Sequence, residues 1–311
     1  MTTRLHAKIG TFRQLEILLA VYELGSVTLA SEELHLTQPT VSMQLKKLAD
    51  MVGVTLYDQV GKRLIFTEAG ELMVQAARDT LERVNDLDMA LSELRGLKTG
   101  TLKLAVVTTA KYFIPHLLGP FCRKYPNIDV EFNVGNRQQI IQRLQRGHDD
   151  FYVFSHIPSK LDIETIDFLD NPLVAIAAED HPLAQERQVS LKQLAQAPFL
   201  MRERGSGTRF TIERFLRKQD LRLNVRMTIE SNEAIKHAVM AGLGISILSQ
   251  HTLAFGESAG VVELQVPEMP IRSKWFLLKL KAKSLSPIAR TFLEFIESEG
   301  RDSLLHELYG A

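Results

Sequence analysis

Residues 36–42 read Leu-Thr-Gln-Pro-Thr-Val-Ser, a stretch that opens a helix by three separate signals. Thr37 is a hydroxyl N-cap. Pro39 falls in the first turn, where its missing N–H leaves no bond unmade. Val41, Leu45 and Leu48 then recur at helical spacing and share one inward face. The opposite face carries Gln38, Thr40, Ser42, Met43 and Lys46. Such side chains suit DNA: glutamine can bond adenine N6 and N7 together, serine and threonine reach phosphates or base edges, and a threonine methyl packs on thymine. A three-helix packing motif with a solvated outer side gives the same pattern, and periodicity alone does not separate the two.

Upstream, Thr11 and Gln14 fit a capping box, followed by Leu15, Leu18, Leu19 and Tyr22 at helical spacing. Gly25 ends that helix. Ser26 caps a second one, in which Val27, Ala30 and Leu34 share a face and the small Ala30 allows close packing. His35 and Leu36 make the turn into the third helix. Downstream, residues 56–59 and 64–67 read as short strands joined through Val60, Gly61, Lys62 and Arg63. A hairpin tipped by Lys62 and Arg63 would make a wing for a phosphate or the minor groove. Over the whole chain 37 basic residues balance 37 acidic ones, so global charge gives nucleic-acid binding no support. Residues 37–67 alone carry Lys46, Lys47, Lys62 and Arg63 against Asp50 and Asp58, so any DNA footprint is local.

From Phe12 to Gly70 the sequence resembles the DNA-binding domain of the LysR-type transcriptional regulators. The matching stretches are GSVTLASEEL (25–34), LTQPTVS (36–42), QLKKL (44–48) and GVTLYDQVGKRLIFTEAG (53–70). The resemblance implies a winged helix-turn-helix that binds partly palindromic promoter sites as a dimer or tetramer, with RNA polymerase as a further partner and no enzymatic activity. The DNA-facing set is then Ser26, Thr37, Gln38, Pro39, Thr40, Ser42, Lys46, Lys62 and Arg63. Ala49 stands where the family commonly has Glu, Ser31 where it has Ala, Tyr57 where it has Phe and Gln59 where it has Arg. Loss of that arginine removes one phosphate contact, which Lys62 and Arg63 are near enough to replace. Gln59 with Gly61, Lys62 and Arg63 is similar to the Calvin-cycle, or RuBisCO-operon, branch of the family, as are VMAGLGISILSQHTL (239–253) and SLSPIARTF (284–292). That branch implies activation of carbon-fixation genes and an anionic effector: a phosphorylated sugar or acid such as ribulose bisphosphate, phosphoglycolate or phosphoenolpyruvate, or else NADPH. No other cofactor is expected.

Thr67 can cap a long helix, with Glu68 and Glu71 in its first turn. Met73, Ala77, Thr80, Val84, Leu87, Leu91 and Leu94 form a heptad seam along it. The seam is expected to pair two subunits rather than pack on its own domain. Gly96 and Gly100 then bracket a hinge. Beyond it, strands centred on Leu102, Leu104 and Val106, on Val130, Phe132 and Val134, and on 151–154 alternate with helices at 115–124 and 140–144. A similar order returns with strands at 199–201 and 225–229 and helices at 210–218 and 233–241. The expected architecture is therefore α/β with a helix-dominated winged N-terminal domain (1–67), a linker helix (68–97) and an effector region (98–311). That region divides into two α/β subdomains with mainly parallel sheets, about 98–168 with 268–311 and about 169–267. Given the resemblance, it is periplasmic-binding-protein-like, and the last strand and the helix at 287–296 return to the first subdomain.

The strongest chemical feature of the second half is RERGSGTR (202–209). Its glycines let backbone N–H groups converge, Ser206 and Thr208 add hydroxyls, and the segment opens a helix whose N-terminus favours an anion. Arg202 or Arg209 would supply a bidentate clamp. With Thr108, Thr109, Asn136 and Asn232 at strand-to-helix junctions, the expected effector set is Thr108, Thr109, Asn136, Arg202, Glu203, Ser206, Gly207, Thr208, Arg209 and Asn232. A capped turn with solvated arginines reads equally well from this motif alone.

GLGI (242–245) lacks a phosphate-loop lysine and reads as close packing; Asp149 and Asp150 suit a turn. His237 and His251 read as structural or exposed, and Cys122 as a buried small apolar residue. No metal cluster or nucleophile with a base is evident. The first 24 residues carry no secretory pattern and no uncharged run is long enough for a bilayer, so a cytoplasmic protein is expected. Two other assignments stay open: a LysR-type regulator of another metabolic operon, and a small-molecule binding protein without DNA function.

Overall fold

The computed structural model describes residues 10–60, 63–96, 98–255 and 259–309. Two compact units divide between Arg95 and Gly96.

In the first unit, α1 (Phe12–Leu24), α2 (Val27–Glu33) and α3 (Gln38–Val52) are each started by a hydroxyl cap, Thr11, Ser26 and Thr37 in turn. The Thr11–Gln14 capping box is complete, and Gly25 closes α1 at φ 63° with its N–H on the Val21 carbonyl. Leu15, Leu18, Val21, Ala30, Val41, Leu45 and Leu48 are all buried in one core. Strands β1 (Tyr57–Val60) and β2 (Arg63–Phe66) pair antiparallel, Tyr57 opposite Phe66. The hairpin begins one residue later than expected because Leu56 is drawn into the core, and it ends one residue earlier because Thr67 caps the next helix.

Helix α4 (Glu68–Leu94) corrects the seam. Met73 and Ala77 are buried in the core of their own domain. Beyond Thr80 the stripe is not covered by the described residues of its own unit: Val84, Leu87, Leu91 and Leu94 are 41%, 58%, 46% and 85% exposed. The domain is too small to reach past the first turns of a helix 27 residues long.

The second unit holds two sheets of one design. β3 (Gly100–Val107) leads through a 3₁₀ turn (Thr108–Tyr112) into α5 (Ile114–Lys124), and β4 (Ile128–Gly135), α6 (Arg137–Gln145), β5 (Phe151–Phe154) and β6 (Ile163–Asp170) follow. The chain then crosses to β7 (Leu173–Ala178), α7 (Leu191–Gln196), β8 (Pro198–Arg202), α8 (Gly207–Lys218), β9 (Asn224–Ile229), α9 (Asn232–Met240), β10 (Ser246–Ser249), α10 (Gln250–Ala254) and β11 (Val261–Glu263). It returns through β12 (Lys274–Leu280), α11 (Pro287–Phe295), a π-helical turn (Ile296–Gly300) and α12 (Arg301–Tyr309).

The first sheet runs β4-β3-β5-β12-β6, with only β12 antiparallel to its neighbours. In the second half β8 and β9 pair in parallel, β10 and β11 flank β7 antiparallel, and a Phe199–Ile245 bridge joins the two groups in the order β9-β8-β10-β7-β11. Each half thus has one reversed strand, second from an edge. That bridge explains the glycine-rich 242–245 stretch: a Cβ on Gly244 would lie 2.3 Å from the Pro198 carbonyl oxygen. Apolar residues cover both faces of β7, against α8 on one side and α9 on the other. Cys122, expected buried, is half-buried.

Near the crossings, the Trp275 indole N–H donates to Nδ1 of the fully buried His251 at 3.0 Å, and the Phe113 ring lies 5.2 Å from both. Burial pushes His251 from its ordinary 6.5 down to about 4. The unfolded chain therefore takes up this proton first: stability is full above pH 6.5 and falls as the pH drops toward 4. Between pH 7 and 5 the loss is expected to be about 2 kcal/mol in urea denaturation. His251→Gln, which keeps an acceptor for Trp275, should show a flatter dependence by that amount.

Candidate functional site

The outward face of α3 is built as the spacing predicts. Gln38, Ser42 and Lys46, at intervals of four, are exposed, with Pro39 and Met43 beside them. The Thr37 hydroxyl accepts from the Thr40 N–H at 3.4 Å and shares a 2.8 Å hydrogen bond with the Thr40 hydroxyl. Ser26 accepts from the Leu29 N–H at 3.4 Å, which leaves its own proton available to a phosphate oxygen. The helix is held from behind by Gln14 Nε2 donating to Gln44 Oε1 at 2.9 Å. Arg63 opens β2, while Lys62 lies outside the described residues.

In the second unit most of the residues expected to meet an effector gather where parallel strands end, the position at which α/β sheets bind ligands. A narrow, nearly filled crevice is lined by Val107, Thr108 and Thr109 after β3, Arg137 after β4, and Ser155 after β5. Arg202 and Glu203 at the end of β8, and Ser206, Gly207 and Thr208 at the start of α8, face them. Ser206 caps α8, accepting from the Arg209 N–H.

Arg202, buried to 2% exposure, is fully committed within the protein. Its Nε and Nη2 donate to the two Glu203 carboxylate oxygens at 2.7 and 2.9 Å. Nη1 donates to Asn232 Oδ1 and, at 3.4 Å, to Thr109 Oγ1; Nη2 reaches Thr108 Oγ1 at 3.4 Å. Asn232 Nδ2 also donates to Thr109 Oγ1 at 3.1 Å, tying α9 to the end of β3. Lys111 and Glu233 form a second tie at 2.7 Å. Glu233 is held down at about 2 despite desolvation, which alone would raise it, because Lys111 and Tyr112 hydrogen-bond its charged form.

Two expected members serve other purposes. Arg209 pairs with Glu213 at 2.7 Å and donates to the Arg202 carbonyl at 3.0 Å. Asn136 is exposed and caps α6, its Oδ1 accepting from Gln139 N at 3.0 Å. The neighbouring Arg137 enters the crevice instead. Together with Ser155 and Val107 it escaped the sequence analysis. The available signal was position: each stands at or directly beyond the C-terminal end of a strand in the parallel set β4-β3-β5. Asp149, by contrast, is buried and bound by Arg143 through both carboxylate oxygens at 2.8 and 2.6 Å, so the acidic pair is structural.

A helix-turn-helix with an exposed reading face, followed by two facing α/β halves with a polar crevice, defines a ligand-responsive DNA-binding regulator. Residues 12–71 match the bacterial regulatory helix-turn-helix proteins of the lysR family, and residues 95–301 match the LysR substrate binding domain. The chain belongs to the LysR family of bacterial transcription regulators, whose members are DNA-binding proteins rather than enzymes. It is 46% identical over 290 residues to the HTH-type transcriptional activator CmpR of Synechocystis sp., covering 93% of this chain and 95% of that protein. It is 39% identical over 294 residues to the RuBisCO operon transcriptional regulator of Acidithiobacillus ferrooxidans, covering 94% and 95%. Among solved structures, the regulatory domain of Synechocystis PCC6803 CcmR in complex with 2-PG superposes with a TM-score of 0.62 at 44% identity, over 66% of this chain and 99% of that one. Among the described residues no helix is long and apolar enough to cross a membrane, and no group of three His, Cys, Asp or Glu could hold a metal ion.

Proposed function

We propose that this regulator controls carbon-fixation genes from the bacterial cytoplasm. Residues 1–67 read promoter DNA, residues 68–97 pair subunits, and residues 98–311 sense a small anionic metabolite. The gene class is supported by the printed functions of its full-length relatives, CmpR and the RuBisCO operon regulator. The effector class is supported by one observation above the others: the crevice at the strand ends converges hydroxyls, a helix N-terminus and Arg137 on one small space. The similar CcmR domain holds 2-PG, which carries a carboxylate and a phosphate. The class of ligand held by that similar domain favours a short phosphorylated acid over NADPH. Such a ligand shifts the arrangement of paired subunits only by its unequal affinity for their alternative states.

On DNA, Gln38 reads a base edge, and Ser26, Thr37, Thr40, Ser42, Lys46, Lys62 and Arg63 hold phosphates or the wing, with Pro39 setting the entry of α3. Gln38→Ala is expected to weaken binding to the specific promoter about 10- to 100-fold while leaving non-specific binding nearly unchanged. Lys46→Ala should weaken both and lower the salt dependence by about one counterion. An electrophoretic shift unaltered by either change would contradict the assignment of this face, and no shift at all would favour a binding protein without DNA function.

A further inference from the structure

Helix α3 turns about 100° per residue, so its buried Val41, Leu45 and Leu48 fix which side chains point straight outward. That line holds Pro39, Met43, Lys46 and Asp50, all exposed. Gln38 and Ser42 flank it on one side, and Thr40 and Lys47 on the other. Midway along it stands Met43, a side chain with no N–H or O–H to offer a base or a phosphate.

Met43 is 48% exposed and takes no part in the core of its unit. The other described methionines there behave differently: Met73 is buried in that core and Met51 packs against it. A flexible, polarizable thioether exposed among Ser42, Lys46, Lys47 and Asp50 gains nothing from water, and its one apolar neighbour at helical spacing is Pro39, four residues earlier. The two make a small apolar ridge with cations on its downstream side. Asp50 would repel a phosphate, so the strip open to DNA ends with Lys46 and Lys47, and Met43 falls in its middle.

We propose that Met43 is a specificity-determining residue that reads one thymine in each half-site by packing on its C5-methyl group, with Pro39 as the other wall of the contact. The proposal rests on the reading of α3 as the DNA-facing helix and adds a base contact that uses no hydrogen bond. Thymine alone shows a methyl group in the major groove, so an apolar side chain held against the base edges separates it from the other three bases. Cytosine in its place would turn an amino group toward the thioether, a weak acceptor, and leave that donor poorly paired. Lys46 and Lys47 on one side and the positive end of α3 on the other hold phosphates, and so set the depth at which Met43 meets the groove.

Mobility-shift titration of the full-length protein tests this on a duplex spanning its footprinted promoter site, with each thymine replaced in turn by deoxyuridine. The exchange removes the methyl group and keeps every hydrogen bond. Wild type is expected to lose about fourfold at one thymine of a half-site, and about 15-fold when both symmetry-related thymines are exchanged. Met43→Ala should weaken the unmodified duplex by about the same 15-fold and respond to deoxyuridine at that position by less than about twofold, with the other responses and non-specific binding kept. Met43→Leu, still apolar, should keep the response, and Met43→Gln, of similar length but polar, should lose it. All three variants should melt like wild type, since the side chain is exposed. Met43→Ala binding the unmodified duplex within about twofold of wild type, or keeping every deoxyuridine response, overturns the contact and leaves α3 as the DNA-facing helix. A wild type that shifts no promoter duplex overturns that reading and this contact with it.

Discussion

Leu87→Asp combined with Leu91→Asp is expected to convert the protein to monomers and to weaken binding to a two-half-site promoter by at least about 100-fold. These side chains lie on the uncovered half of the α4 stripe with Val84 and Leu94, 58% and 46% exposed themselves. Burying one leucine is worth about 1.5–3 kcal/mol relative to leaving it in water, and a pair of helices would bury four such positions from each chain. That sum reaches the cost of association, of the order of 4–15 kcal/mol. Two aspartates in the seam would have to be desolvated without partners and reverse the balance. The monomer then meets each half-site separately and loses the effective concentration that the tether supplies. Because both leucines are exposed in the single chain, neither change should disturb the first unit's own stability by more than about 0.5 kcal/mol. Sedimentation equilibrium and promoter shift assays read the outcome, and a variant that stays dimeric would show that subunits pair elsewhere.

Gly70→Ala should be the most damaging one-methyl change in the DNA-binding unit. Gly70 sits in the first turn of α4, where its N–H donates to the Thr67 cap at 3.1 Å. An added Cβ would stand 1.9 Å from the Leu56 carbonyl oxygen and 3.1 Å from Phe66 Cδ1. The oxygen cannot yield alone, since it accepts the Thr67 N–H at 3.0 Å and belongs to the backbone entering the wing. Overpacking against backbone falls at the upper end of its usual range, about 3 kcal/mol, or about 15 °C in the melting of a unit this size. Gly119→Ala is the milder comparison: inside α5 its Cβ would meet a flexible Arg123 nitrogen at 3.5 Å and the ring of the following Pro120. The proline's crowding offsets the gain from a stiffer unfolded chain, so the change should stay within about 1 kcal/mol. Thermal melting that ranks the two substitutions equally would contradict the packing described around Leu56.

Much of this architecture is legible in the sequence because the signals are local. Thr11, Ser26, Thr37 and Thr67 each announce a helix within three residues of themselves, and the apolar spacing of 41, 45 and 48 fixes which side of α3 faces out. What the sequence withholds depends on contacts far along the chain. The seam reads as one stripe from Met73 to Leu94, yet its first turns are covered by helices more than 40 residues upstream, so the reading assigned too much of it to a partner. RERGSGTR was found through its glycines and charges, but only the folded chain shows that Glu203 and Asn232 saturate Arg202. Arg137 and Ser155 carry no motif at all. They become neighbours because β4 and β5 flank β3 in one parallel set and all three end on the same edge.

The proposed function requires exposed side chains of α3 to read carbon-fixation promoters under the control of a small phosphorylated acid. Genome-wide footprinting in the native host, with wild type and Arg137→Gln compared under conditions that raise and lower 2-phosphoglycolate, tests it most directly. The expected result is protection upstream of carbon-fixation genes in both strains, with an extent that changes with the metabolite only in wild type. Protection confined to other operons, or a wild-type footprint indifferent to the metabolite, would contradict it.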